Sequence, residues 1–304
     1  MNSQETTTTS TAWDERNAVE IRRIDSASEI DHKASQHYEY VVPSPSGGPL
    51  DIVTLYAPRP SKTLIVSFHG SLVRSKFQLP RFEWRRTLGN LDAGVLLIAD
   101  TTLELGEKIP LGWYIGTKEQ DLADDIAAVV QQVAADGGYE HIVLAGSSGG
   151  GYAAMAISRR IPGSLAVSFS PQTRVGDYIP WVAKVLVNAA FPGYDTIDAV
   201  EADFAERVNL RRLYAEPEIP NFVRYVQNSN DLDHIEEHYA PFAQVRSTDP
   251  ETGGMDPSGR LRFVLEPMSK GHEPPARHRF LRNIQEAHQE FFGSRLGEAK
   301  MDGE

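Results

Sequence analysis

The segment from 141 to 152 reads HIVLAGSSGGGY, and it holds the residue whose surroundings best suit chemistry, Ser148. A serine hydroxyl is a weak nucleophile until a base takes its proton and nearby donors accept the charge that develops. Gly146-Ser147-Ser148-Gly149-Gly150 fits the G-x-S-x-G pattern, in which a sharp strand-to-helix turn lifts the serine above a sheet. Glycines flank the serine in that pattern because the turn is tight and a neighbouring side chain would collide with backbone. The small-residue helix predicted over 152–158 turns its positive end toward the place where negative charge develops. From background frequencies the bare pattern arises by chance roughly 0.1 times in a chain of this length, and its flanking runs make coincidence rarer still. Ser147 is the competing nucleophile, but its own frame begins at Ala145. A phosphate-binding loop is the other use for such glycines, and neither G-x-G-x-x-G nor G-K-[ST] is present here.

A serine lifted in this way needs a sheet beneath it. Residues 38–42 and 51–56 read as two strands joined through a Pro-Ser-Gly-Gly turn, a hairpin. Six β-branched runs follow, at 63–68, 95–99, 141–145, 165–169, 222–227 and 261–265, each suited to a sheet buried on both faces. Between them the clearest helix is 118–133, where Leu122, Ile126, Val129, Val130 and Val133 form one stripe and Asp121, Asp124 and Asp125 lie off it. A last helix covers 276–292. This alternation predicts an α/β fold with a mostly parallel central sheet and helices on both faces. Residues 171–220 are far more than a simple crossover needs, and helices are predicted over 181–191 and 196–214. They are either a crossover helix with decoration or a small helical cap, an insertion at 172–220, over the active site. Residues 1–35 read as an N-terminal arm, poorly ordered over 1–17 and with a short helix within 18–33. The main domain then runs over 36–295, and 296–304 is a C-terminal tail.

From 38 to 292 the chain resembles the α/β-hydrolase superfamily of serine esterases and acyltransferases, with GSSGG as the most specific motif. The resemblance implies the chain order nucleophile, acid, histidine. Among nine histidines only His272 lies just after the last predicted strand and before the last helix, in LRFVLEPMSKGHEPP. The acid is then expected after the strand FVRYVQ, where Asp231 and Asp233 both qualify. Asp231, nearer the strand end, is the better placed to reach His272 and hold its tautomer; Asp233 would cap the helix beginning near His234. One oxyanion donor would be the N–H of Gly149. The other is expected from His69-Gly70-Ser71-Leu72, which looks like the family's His-Gly loop without the longer HGGG form, with Ser71 first choice and Leu72 second. His69 reads as a structural histidine of that loop. Trp113 and Tyr114, with Tyr178, Trp181, Phe191 and Tyr194 of the long insertion, are candidates for an apolar acyl pocket, core being their ordinary alternative. His234 is a candidate for contact with substrate or with the active-site loop.

A second motif shares this region. His234-Ile235-Glu236-Glu237-His238 matches the H-x-x-E-H zinc pattern, with Glu237 as general base, but no third ligand announces itself. The plain reading is a polar helix with one histidine turned toward the active site. No metal and no cofactor is required by the serine mechanism.

Bulk properties exclude other classes. The formal charge of −12 repels phosphate backbones, so nucleic acid is not an expected partner. The chain has no cysteine, which excludes thiol chemistry and disulfides. No apolar run approaches the length of a membrane span, and no export signal is visible, so the cytoplasm is the expected compartment. The expected function is hydrolysis of a small-molecule carboxylic ester or related acyl bond by a Ser-Asp-His triad. The alternatives are acyl transfer to an alcohol or glycan, as the resemblance also implies, and a non-catalytic binding protein on the same fold.

Overall fold

Runs such as Thr63–Phe68, buried along its whole length, have no polar side to offer water, so strands like it must sit inside a sheet covered on both faces. The computed structural model describes residues 12–299. Its strands are β1 (Ala12–Asp14), β2 (Val19–Arg23), β3 (Tyr38–Val42), β4 (Ile52–Ala57), β5 (Thr63–Phe68), β6 (Gly94–Ile98), β7 (Gly116–Thr117), β8 (Gln120–Asp121), β9 (His141–Ser147), β10 (Leu165–Phe169), β11 (Phe222–Asn228), β12 (Gly254–Met255) and β13 (Leu261–Glu266). Apart from the β7–β8 ribbon they form one sheet in the order β1-β2-β3-β4-β6-β5-β9-β10-β11-β13-β12. The central strands from β6 to β13 run parallel, and β3, β4 and β6 pair antiparallel, so the expected hairpin is present.

Helices cover both faces. Leu122–Asp136 buries Leu122, Ile126, Val129, Val130 and Val133 against Leu64, Val66 and Leu96. On the other face Arg277–Phe292 buries Phe280, Ile284 and Ala287 against Val143, Val167 and Val226. The helix after the nucleophile, Gly149–Ser158, is buried on every side, which gives the site a rigid base. One aspartate of the first helix departs from expectation. Asp125 is 2% exposed, and its carboxylate accepts hydrogen bonds from Ser44, Ser46 and Gln120, so it closes the β3–β4 turn instead of facing water.

The helix expected within 18–33 is a correction. β2 stands there and pairs in parallel with β3, and only Ala27–Glu29 makes a short 3₁₀ turn. Val19 and Ile21 lie two residues apart on the strand face that meets Val41 and Val53, a period of two that a helix could not satisfy. Of the arm expected to be poorly ordered, residues 1–11 lie outside those described, while Ala12–Asp14 pairs with β2.

The long insertion holds Pro180–Ala190, Ile197–Val208 and Leu210–Leu213. Val182, Leu186 and Val187 of the first pack with Leu103, Leu111 and Trp113, from the loop that follows β6. Among the described residues no helix is long and apolar enough to cross a membrane.

Candidate active site

The sharpest turn of the sheet falls at Ser148. It has φ 57° and ψ −123°, a conformation that costs about 1–3 kcal/mol for a non-glycine residue and persists only where the surroundings hold it. The Ser148 N–H donates to the Phe169 carbonyl at 2.9 Å and the Tyr152 N–H donates to the Ser148 carbonyl at 3.0 Å, pinning the elbow from strand and helix. Gly146 and Gly150 must be glycines because the backbones here touch: a Cβ on Gly146 would overlap Gly150, and one on Gly150 would overlap the Phe68 carbonyl.

Three loops at the same end of the sheet converge on this serine. His272 Nε2 lies 2.8 Å from Ser148 Oγ, and His272 Nδ1 lies 2.8 Å from Asp231 Oδ2. Asp231 is buried and Asp233 is exposed, so of the two candidate acids only Asp231 meets the histidine. The side chain of Asp231 makes no cap bond to the helix it precedes. Asn228, at the end of β11, ties the two loops together. Its amide donates to the carbonyls of Ser269 and Gly271, and its carbonyl oxygen accepts from the N–H groups of Asn230 and Met268. The sequence reading missed this residue, whose signal was only an asparagine at a strand end.

The His69–Leu72 loop lies beside the elbow. A Cβ on Gly70 would stand 3.2 Å from the Ser147 carbonyl oxygen. The Leu72 N–H donates to the Pro110 carbonyl at 2.8 Å. His69 is buried, with Nδ1 2.8 Å from the Gly70 carbonyl and Nε2 accepting the Asp100 N–H at 3.2 Å.

Trp113 and Tyr114, candidates for an acyl pocket, are buried, and so are His69, Leu72 and His234. Their polar atoms explain why. Tyr114 Oη donates to the Ile98 carbonyl and accepts the His69 N–H. Trp113 Nε1 donates to Gln172 Oε1 at 3.1 Å. Asp100, also buried and also missed, accepts the Gly112 and Tyr114 N–H groups and so holds Trp113 and Tyr114 at φ 50° and 58°. In the insertion Phe191 is core, whereas Trp181 is 56% exposed.

His234 stacks on His272 with ring centres 4.3 Å apart and planes 12° from parallel, and His238 lies 4.4 Å behind it. Both H-x-x-E-H histidines are buried, His234 at the end of the short helix Leu232–His234 and His238 on the π-helical turn Ile235–Tyr239 that follows, whereas Glu237 is exposed, so the pattern does not put its acid beside them. Asp231, His234 and His272 do offer donor atoms within 4.8 Å of one another, but Asp231 and His272 already bond each other, and His272 also meets Ser148.

Burial keeps three of these histidines neutral: His69 is pushed down to about 4, His238 to about 3 and His234 further. Because the unfolded chain takes up these protons near 6.5 and the folded one does not, their stability contribution is complete above about 6.5 and lost as pH falls. Each contributes a slope of about 1.4 kcal/mol per pH unit well below that point, roughly 4 for the three together. Urea unfolding from pH 7 down to pH 5 checks this, with His238→Gln expected to flatten the slope by about one proton. An unchanged slope in that variant would remove His238 from the account.

The mostly parallel sheet, its covering helices and the serine elbow at the carboxyl ends of its strands define the fold of the α/β-hydrolase superfamily, and this chain has that fold. No family model and no curated protein sequence matches it. Among solved structures it is similar to the capsule O-acetyltransferase of Neisseria meningitidis serogroup A, with TM-score 0.59 and 16% identity over 78% of this chain and 94% of that one. It is also similar to an S-formylglutathione hydrolase from Agrobacterium tumefaciens (TM-score 0.52, 14% identity, 86% and 95% covered). A third likeness is to prolyl oligopeptidase B from Galerina marginata (TM-score 0.56, 12% identity), where 89% of this chain matches 39% of the larger one.

Proposed function

We propose that the protein is a serine hydrolase that cleaves a carboxylic ester, or a related acyl bond of a small molecule, through an acyl-enzyme on Ser148. The observation that carries this reading is the unbroken chain Ser148 Oγ to His272 Nε2 to Asp231 Oδ2, with both steps at 2.8 Å. Asp231 accepts a hydrogen bond from the Nδ1–H, which keeps that proton on Nδ1 and leaves Nε2 free to take the proton of Ser148. Oγ then attacks the acyl carbon, and the oxyanion is received by the N–H groups of Gly149 and Ser71. The bond to the leaving group breaks as His272 returns the proton to it. Water, losing a proton to His272, attacks the acyl-enzyme; the acid leaves and Ser148 recovers its proton. Every step uses the chain's own residues and no cofactor.

His272 is solvent-exposed, so water has access to the base, and this supports hydrolysis over transfer. Acyl transfer to an alcohol or glycan is the second reading, motivated by the capsule O-acetyltransferase that shares the fold, one of whose structures holds CoA. We take 36–295 as the catalytic domain, with β1 and β2 of the preceding arm added to the edge of its sheet, and treat 172–220 as its cap insertion.

A fluorescent fluorophosphonate tests the mechanism. Wild type and Ser147→Ala are expected to be labelled and Ser148→Ala not, and wild type that stays unlabelled while folded would favour a non-catalytic binding protein. With an activated ester and added alcohols, free acid as the dominant product supports the hydrolase; acylated alcohol would move the assignment to a transferase.

A further inference from the structure

One buried side chain touches the nucleophile without a part in the triad. Gln172 is fully buried in the loop after β10, and its Nε2 lies 2.9 Å from Ser148 Oγ and 3.3 Å from His234 Nε2. The orientation of its amide follows from its third neighbour. An indole N–H can only donate, so the Gln172 atom 3.1 Å from Trp113 Nε1 is the carbonyl oxygen, and the NH₂ group faces Ser148. The single proton of Ser148 is directed to His272 Nε2, so toward Gln172 the hydroxyl oxygen can act only as acceptor.

The loop that carries Gln172 is clamped on two sides. Thr173 N–H donates to His238 Nδ1 and Thr173 Oγ1 to the His238 carbonyl. Arg174 reaches Asp177, Asp198 and Glu201 at 2.5–2.7 Å, which ties the same loop to the insertion helix Ile197–Val208. An amide held this way is preorganised before any substrate arrives.

We propose that Gln172 is a further catalytic residue, a neutral donor that holds Ser148 Oγ through acylation and deacylation, with Trp113 as the positioning residue that fixes which way the amide faces. The proposal rests on the acyl-enzyme reading above. In acylation the O–H bond of Ser148 breaks toward His272 and its electron pair forms the bond to the acyl carbon. In deacylation that bond breaks, the pair returns to Oγ, and His272 gives the proton back. Oγ carries more negative charge at both moments than in the resting hydroxyl or in the ester. A fixed N–H in a dry setting therefore stabilises the transition states more than the ground states. A neutral amide takes no proton itself, so it does not compete with His272. Its second N–H is received by His234 Nε2, which selects the tautomer of the ring stacked on the base.

The test compares wild type, Gln172→Glu, Gln172→Met, Trp113→Phe and the double variant Gln172→Met/Trp113→Phe, by ester kinetics and by the rate of fluorophosphonate labelling. Gln172→Glu keeps the shape and the acceptor for Trp113 but, when ionised, has no donor, so it reports even if the methionine variant fails to fold. Both are expected to lose about 10- to 1,000-fold in kcat and in labelling rate while KM moves little, since one donor aimed at developing charge is worth about that much or somewhat less. Trp113→Phe is expected to lose less, and to cost nothing further once Gln172 is methionine, because the indole acts only through the amide. Wild-type labelling rates in folded Gln172→Met, or Trp113 and Gln172 effects that simply multiply, would overturn the proposal. An unlabelled wild type would overturn the acyl-enzyme reading and this one with it, a result distinct from a labelled wild type indifferent to Gln172.

Discussion

Ser148→Ala should lower kcat for an activated ester by about 10⁴–10⁶-fold, His272→Ala should do the same, and the double variant should be no worse than either. In the proposed mechanism the two residues perform one act, the transfer of a proton over 2.8 Å as Oγ attacks, so removing either removes the whole step. The residual rate would come from binding and from the Gly149 and Ser71 N–H groups, which neither substitution touches. Neither variant should lose much stability, since Ser148 is only partly buried and the side chain of His272 is 29% exposed. Steady-state kinetics with melting curves decide it. Wild-type activity in Ser148→Ala would transfer the nucleophile elsewhere, Ser147 first.

The second large effect separates two neighbouring aspartates. Asp231→Asn should lower kcat by about 10⁴-fold, and Asp233→Asn should leave it within about twofold. Asp231 is buried with one oxygen 2.8 Å from His272 Nδ1, and as a carboxylate it can only accept, which places the proton on Nδ1. An asparagine can turn its NH₂ toward the ring and select the opposite tautomer. Nε2 would then carry a proton and could not take that of Ser148, with the geometry intact. Asp233, exposed two residues further on, makes no comparable contact with His272. Equal losses in the two variants would mean that the loop, not the carboxylate, is what matters. The clamp of Asn228 on Ser269, Gly271, Asn230 and Met268 keeps the acid loop and the histidine loop in register, so little rearrangement is expected on changing one oxygen to nitrogen.

The parts legible in the sequence are those whose chemistry demands a local pattern. Gly146-Ser147-Ser148-Gly149-Gly150 announces its own turn because no larger residue fits where the backbones of Gly146 and Gly150 meet. The buried strands declare themselves by lacking any polar side, and His272 stands out by its place between the last strand and the last helix. Where the pattern was short or weak the reading failed, as with β2, whose Val19 and Ile21 are a strand signal only once Val41 and Val53 are beside them. Asp125 looked like a solvated helix face because no sequence pattern shows Ser44, Ser46 and Gln120 arriving from other elements.

The support of the site follows the same division. Gln172 and Trp113 come from stretches of chain far from the one that carries Asn228 and His234, and no spacing relates the three. Local sequence determined the serine elbow and the strands that carry it, since steric and hydrophobic demands act over a few neighbouring residues. Tertiary structure alone decided which amide faces Ser148 and which ring stacks on His272, and it put Asp231, which the sequence already favoured over Asp233, against the histidine. Hydrogen bonds and stacking depend on positions set to a fraction of an ångström by packing between elements distant in the chain.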